Sequence, residues 1–229
     1  MIPLGVVSHV DPNLKDATGY NVDLGYRGTV KNILNFDFSL FYMAYNNRIG
    51  LELKPDGSGG FYTYRTNIAN SIHKGLEGYG EFNISKLFSS PLRSKLSLFN
   101  SIMLLNAEYK NGPFKGKTVE YAPSVINRVG LTWSYKIFST TLQHSYQGSA
   151  FGDADNTIVP CTNGVVGKIP AYAVIDWSTT FSWKKISLKT GVNNLTNSKY
   201  FSYRTDEYPG PGIIPAIGRS IYLGVTARF

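Results

Sequence analysis

Counting back from Phe229, every second residue is apolar: Phe229, Ala227, Val225, Leu223 and Ile221. Arg228, Thr226, Gly224, Tyr222 and Ser220 fall between them. Side chains alternate across a strand, so this stretch has one greasy and one wet face. About ten alternating residues is the length and pattern of a strand that spans a membrane inside a barrel, apolar toward lipid and polar toward the lumen. The constraint is strong because a one-residue change of register would turn every apolar side chain to the wrong face.

The same period recurs through the chain. A first strand sets Tyr20, Val22, Leu24 and Tyr26 against Asn21, Asp23, Gly25 and Arg27. A second sets Leu34, Phe36, Phe38, Leu40 and Tyr42 against Asn35, Asp37 and Ser39, fraying at Asn46-Asn47-Arg48. The third runs from about Tyr62 to Ile84, with Glu77 and Glu81 on its polar face. The fourth covers Leu96–Tyr109; Phe99, Met103 and Leu105 intrude on its polar face, which predicts packing against something inside. Val125–Tyr135, Phe138–Gln147, Tyr172–Trp183 and Ile186–Asn193 are the fifth to eighth strands, and the C-terminal stretch is the ninth. Residues 1–19, 148–168 and 199–217 read as loops.

Connections alternate between short, near 31, 90, 136 and 184, and long, near 55, 115, 157 and 208. Membrane barrels have short turns on one side and long loops on the other. The short turns are chemically alike. Trp133-Ser134-Tyr135-Lys136 and Phe181-Ser182-Trp183-Lys184 each put aromatics before a Lys, as at a headgroup boundary. Lys31, Lys86, Arg93, Lys95, Lys136, Lys184 and Lys185 cluster at these turns, suited to anionic headgroups or to discouraging edge aggregation. Aromatics reach 14%, with 16 Tyr and 13 Phe, an excess of half-wet rings that fits membrane interfaces. The fold class expected is all-β: an antiparallel, up-and-down transmembrane β-barrel portion of about nine long strands. Nine is odd, and two open edges in lipid would leave backbone groups unpaired at several kcal/mol each. The chain, residues 1–229, is therefore expected to be the C-terminal portion of a larger barrel. Met1-Ile2-Pro3-Leu4-Gly5 lacks the basic and apolar regions of an export signal, which predicts a non-exported chain or a piece of something longer.

Other chemistry is absent from the sequence. The net charge of +8 is spread without a basic run, so nucleic acid is not an expected partner. His9, His73 and His144 have no metal-ligand spacing, there is no phosphate loop, and no Gly-x-Ser-x-Gly elbow occurs. No catalytic residue, metal site or cofactor is expected. Cys161, the single cysteine, reads as a free loop thiol.

Several stretches resemble the C-terminal barrel region of TonB-dependent outer-membrane receptors. They are Asn13-Leu14-Lys15 through Gly25, Phe38–Tyr42 with Tyr45–Ile49, Tyr121-Ala122-Pro123, Gly191–Asn197 with Lys199-Tyr200-Phe201, and Gly218-Arg219-Ser220 into Phe229. Asp16 and Ala17 depart from the first of these patterns. Tyr208-Pro209-Gly210-Pro211-Gly212 is most similar to ferric-citrate-type siderophore receptors. The resemblance implies a 22-stranded barrel in the outer membrane of a Gram-negative bacterium, plugged by an N-terminal domain absent from these residues. It implies uptake of a ferric siderophore or ferric citrate, energised by the TonB complex through that missing part. Partners implied are outer-membrane lipid and lipopolysaccharide, and the barrel assembly machinery, which would read Phe229 as an assembly signal. If the ligand is an anionic ferric chelate, Arg204 and Arg219 would attract it while Tyr203 and Tyr208 offer contact area and hydroxyls; the blander reading, favoured because many surface cations have no specific partner, is that these residues merely brace the loop or meet lipopolysaccharide. Two other readings are a small passive outer-membrane pore and a soluble β-sandwich binding module, the latter disfavoured by strand length.

Overall fold

A computed structural model describes residues 9–55, 61–87, 94–205 and 211–228. Its strands are β1 (His9–Val10), β2 (Thr18–Val30), β3 (Leu34–Pro55), β4 (Phe61–Asn83), β5 (Ser94–Tyr109), β6 (Val125–Tyr135) and β7 (Phe138–Gln147), followed by β8 (Ala150–Phe151), β9 (Lys168–Ile169), β10 (Tyr172–Trp183), β11 (Ile186–Asn193), β12 (Phe201–Thr205), β13 (Gly212–Pro215) and β14 (Ser220–Ala227). The nine long ones pair in the order β2-β3-β4-β5-β6-β7-β10-β11-β14, every pair antiparallel. This is one up-and-down wall, the nine strands that the alternation predicts.

The register explains why the wall holds together. Val30, Leu34, Phe82, Leu98, Leu131, Leu142, Trp177, Val192 and Ile221 stand directly opposite one another in turn, one apolar residue from each of the nine strands. The adjacent position on seven of these strands gives Asn83, Ser97, Thr132, Thr141, Ser178, Gly191 and Tyr222, again in one cross-strand row but on the other face. One face is therefore apolar across all nine strands, and at this level the other is free of large aliphatic side chains across seven of them. The apolar face stays uncovered: Leu24 is 74% exposed, Ile221 78% and Leu223 70%. A contiguous apolar surface of this extent needs lipid or protein against it. Among the described residues, five of the eight buried apolar side chains, Ile68, Ala69, Ala107, Tyr109 and Val119, gather instead in one small cluster where β4 and β5 meet the loop that follows.

The short turns share a structure as well as a composition. Lys31, Lys136 and Lys184 occupy left-handed φ, between 48° and 51°. The ammonium of Lys136 lies 5.1 Å from the Tyr135 ring centre, and that of Lys184 lies 5.3 Å from Trp183. The rings beside them, Trp133, Phe138 and Phe181, contact each other edge to face on the apolar side, a short aromatic belt. The Ser89-Ser90-Pro91 turn and Arg93 lie outside the described residues; β4 ends at Asn83, and Ile84 opens a 3-10 turn instead of continuing the strand.

Elsewhere the structure departs from the sequence expectation. The second strand does not fray at Asn46-Asn47-Arg48: β3 continues to Pro55 through a bulge between Tyr45 and Arg48, with Asn47 at φ 54°. β2 stops pairing at Asn46 and β5 at Ser71, so the rest of the β3–β4 ribbon rises beyond both neighbours. The loops contain strands too. β1 pairs with β4, β8 with β9, and β12 with β13. These pieces are too short to carry a period, and only distant partners define them.

Candidate functional site

The described parts of three long connections on the rim opposite the short turns, 110–124, 148–171 and 194–205 with 211–219, fold onto one another as a single layer. Two of the tying residues, Tyr121 and Tyr200, belong to stretches the sequence singles out, whereas Lys117, Asp153 and Asp155 do not. Tyr121 donates its N–H to Phe151 O (2.8 Å) and its hydroxyl to Arg204 O (3.0 Å), and its ring stacks on Tyr203 at 5.0 Å. Asp153 accepts from Thr157 and from the Gly167 N–H, closing the 148–171 loop on itself. Lys117 reaches Asp155 at 2.5 Å. Tyr200 stacks on Tyr172 at 4.1 Å, fastening the last loop to β10.

The predicted contact residues take different places in this layer. Arg204 lies in β12 and is 4% exposed. Its Nη1 donates to Gly164 O (2.5 Å) and its Nη2 to Lys168 O (3.0 Å), and its guanidinium sits 5.0 Å over Phe201. It thus crosses from the hairpin to the 148–171 loop. Tyr203 is next to it but half exposed. Arg219 is exposed at the entry to β14, its N–H donating to Asn197 Oδ1 at 3.1 Å. Tyr208 lies outside the described residues, as does Phe229; Arg228 donates to Lys185 O, so the last described residue sits at the short-turn rim.

The Asn193–Asn197 stretch gains a physical reason. Asn194 and Asn197 have φ 50° and 56°, a region where Asn is favoured over other side chains. Asn194 is buried; its N–H donates to Asp176 Oδ1, and its amide both donates to Ser198 O and accepts from the Ser198 N–H. The motif is a self-closing turn that carries the chain from β11 to Tyr200 and, through Asn197, sets Arg219.

A second cluster lies where the projecting ribbon leaves the wall. Arg48, at the β3 bulge, pairs with Glu120 at 2.8 Å. Tyr109, completely buried, donates to the other Glu120 oxygen at 2.5 Å, and Arg48 lies 5.9 Å over its ring.

On the inner face below, a concave hollow of about 530 Å³ is lined by Asp37, Ser39, Glu77, Tyr79, Ser101 and Arg128 among others. Glu77 and Glu81 share that face, but Glu81 is engaged by Lys95 at 2.9 Å, and nothing arranges the two acids about a reacting bond. Among the described residues no group of three His, Cys, Asp or Glu side chains converges as metal ligands.

A single-layer antiparallel wall, apolar outside and polar inside, with short turns at one rim and folded loops at the other, defines the chain as part of a large β-barrel of membrane type. Residues 3–195 match the family model of the TonB dependent receptor-like β-barrel, and the chain belongs to that family. Among solved structures it is similar to the ferric citrate transporter FecA in the unliganded form, with 23% identity and TM-score 0.76, over 91% of this chain and 31% of that one. It is similar to the copper transporter OprC, with 15% identity and TM-score 0.72, over 95% and 33%. It is similar to the ferric yersiniabactin uptake receptor FyuA from Yersinia pestis, with 14% identity and TM-score 0.69, over 93% and 30%. The chain therefore spans about a third of the length of these proteins, and the likeness is one of fold.

Proposed function

We propose that the chain is the C-terminal part of the barrel of an outer-membrane receptor in a Gram-negative bacterium, one that imports a ferric siderophore or ferric citrate with energy delivered through TonB. The observation that carries this reading is the row of nine directly opposed apolar residues from Val30 to Ile221, backed by the polar inner row, in a chain of the TonB-dependent family. The missing part would supply the remaining strands, the plug domain and the contact with the TonB complex. Lipid and lipopolysaccharide would meet the apolar face and rim, and Phe229 would be read by the barrel assembly machinery.

A self-contained passive pore fits less well. In a nine-strand meander the first and ninth strands run in the same direction, so joining β2 to β14 would make a parallel seam. A β-sandwich needs a second large sheet facing the first, whereas the other described sheets have two strands each.

Tyr203, Arg204 and Arg219 of the loop layer, together with Tyr208 outside the described residues, are proposed to serve the ligand. Exposed Tyr203 and Arg219 offer direct contact, and Arg204 holds the layer that presents Tyr203. The test is uptake of radiolabelled ferric citrate by cells carrying the full-length receptor. Uptake is expected to be abolished by a protonophore and reduced by Arg204→Ala and Arg219→Ala. Energy-independent entry would refute the receptor reading, and unchanged uptake by both variants would refute the site assignment.

A further inference from the structure

Two short turns hold lysine where the backbone favours other residues. In the β6–β7 and β10–β11 turns, Lys136 and Lys184 have φ of 50° and 51°, the left-handed region that suits glycine or asparagine. Backbone geometry alone would select those residues, so the retained lysine side chains point to a use. Neither ammonium goes to a carboxylate: the ion pairs among the described residues involve Arg48, Lys95, Lys110 and Lys117. Each lies instead over an outward ring, Lys136 over Tyr135 and Lys184 over Trp183, with Lys185 exposed beside the second. A ring contact leaves N–H donors of each ammonium free.

The register makes a saddle between these turns. β7 and β10 are neighbours, and at this rim Phe138 and Phe181 stand directly opposite each other, ring centres 5.0 Å apart. The two lysine turns flank that aromatic floor, separated by two strand spacings, about 10 Å. Above the floor the outward face is built for hydrocarbon. Trp177 donates its indole N–H to Thr140 at 2.9 Å, and Thr140 and Thr179 share a hydroxyl contact at 2.9 Å, so these polar atoms are satisfied within the wall. Leu142 and Trp177 carry the exposed apolar surface onward.

A ligand that fits has an anion for two ammoniums at one end and apolar chains that run up the wall from it. We infer that the saddle between the β6–β7 and β10–β11 turns is a binding site for one anionic glycerophospholipid of the phosphatidylglycerol class, its phosphate held between Lys136 and Lys184 and its acyl chains laid over Phe138 and Phe181. Charge-assisted hydrogen bonds supply the hold on the phosphate. A zwitterionic lipid offers the same phosphate but brings a cation of its own, which these lysines repel. Lysines near a membrane attract anionic lipid in general; here the register gathers two of them about one aromatic floor. The site rests on the outer-membrane reading above, because short turns at the periplasmic rim put the saddle in the inner leaflet.

Native mass spectrometry of the full-length receptor in detergent tests it, with phosphatidylglycerol and phosphatidylcholine added in equal amounts. The unsubstituted receptor is expected to keep phosphatidylglycerol after phosphatidylcholine has dissociated. Lys136→Asn and Lys184→Asn remove the cations while suiting the left-handed φ, so the turns are kept. Each is expected to weaken that retention about fivefold, the effect of one lysine near an anionic headgroup. The double Asn variant is expected to hold one phosphatidylglycerol fewer, and Lys136→Arg with Lys184→Arg to hold as many as the unsubstituted receptor. Equal retention of the two lipids, or an unchanged count in the double Asn variant, would overturn the inference. So would release of the lipid by a wash with inorganic phosphate in place of chloride at equal ionic strength, which would mark a site for a free anion. If the receptor fractionates with the outer membrane and imports ferric citrate but shows no lipid preference, only this inference falls. If it does not fractionate there, the receptor reading fails and the saddle with it.

Discussion

Phe99 stands directly opposite Gly130 on the inner face, and its ring fills the space a Gly130 side chain would need; a Cβ there would collide with the ring edge. The same pairing recurs at Phe41 over Gly75 and Tyr222 over Gly191, each directly opposed across two strands. Laying an aromatic over a glycine restores contact area where the glycine offers none and pins the register of the pair. The apolar residues that break the polar face of β5 are thus partly explained by the neighbouring strand.

From this pairing, Gly130→Ala is expected to overpack the wall and cost about 1–3 kcal/mol. Adding Phe99→Ala removes the obstructing ring, so the double variant should be more stable than the two separate losses predict. The temperature at which the folded band disappears on a semi-native gel measures both. Strict additivity would show that the ring and the glycine do not interact.

Glu120 accepts the hydroxyl of buried Tyr109 with one oxygen and pairs with Arg48 through the other. Tyr109→Phe removes a single hydrogen bond, worth about 0.5–1.5 kcal/mol, whereas Glu120→Ala strands a buried hydroxyl, about 1–3 kcal/mol, and leaves Arg48 without its counter-charge. Glu120→Ala is therefore expected to lower the urea midpoint more than Tyr109→Phe does. The reverse order would mean that water replaces the carboxylate.

Tyr121 sits in the loop layer, where burial first and neighbouring Tyr203 second push its hydroxyl above the ordinary range. Below about pH 10 folded and unfolded loops both keep the proton, so no pH dependence arises from it. Above that, the unfolded state ionises first, the native state holds more protons, and stability falls as pH rises. In a tyrosinate absorbance titration, Tyr121→Phe is expected to remove part of the late-titrating signal. Loss of early-titrating signal instead would contradict the placement of that hydroxyl against Arg204 O and Tyr203.

Cys161 receives the Val166 N–H at 3.4 Å, and backbone N–H groups led by that of Val166 draw its thiol below the ordinary range. Alkylation of native protein by iodoacetamide should reach half its maximal rate below about pH 8.5, and urea should return the profile to that value. Identical profiles in native and urea-treated protein would show that the loop does not form around the thiol.

The nine strands were legible because pleating is local. A strand shows its two faces within its own residues, and Leu131 alternating with Thr132 needs no knowledge of Leu142 or Thr141 to be placed. Strand ends at Tyr135, Phe138 and Gln147 agree with the structure for the same reason. The bulge after Tyr45 was not legible, because Asn46-Asn47-Arg48 looks like a turn; only pairing on through Arg48 with β4 makes it a continuation. Of the contact residues, Tyr203 and Arg204 were visible as loop residues, but not that Arg204 would be buried.

The chain by itself thus determined which side chains of the wall face outward and inward, how many long strands there are, and which rim carries the loops. Tertiary structure alone decided that Tyr121, Gly164 and Lys168 converge on β12, that Arg48 meets Glu120 across 72 positions, and that Phe99 finds Gly130. The division has a physical cause. Faces follow from a repeat of two residues that any short window contains, whereas loop association sums individually weak polar contacts between distant segments that carry no period.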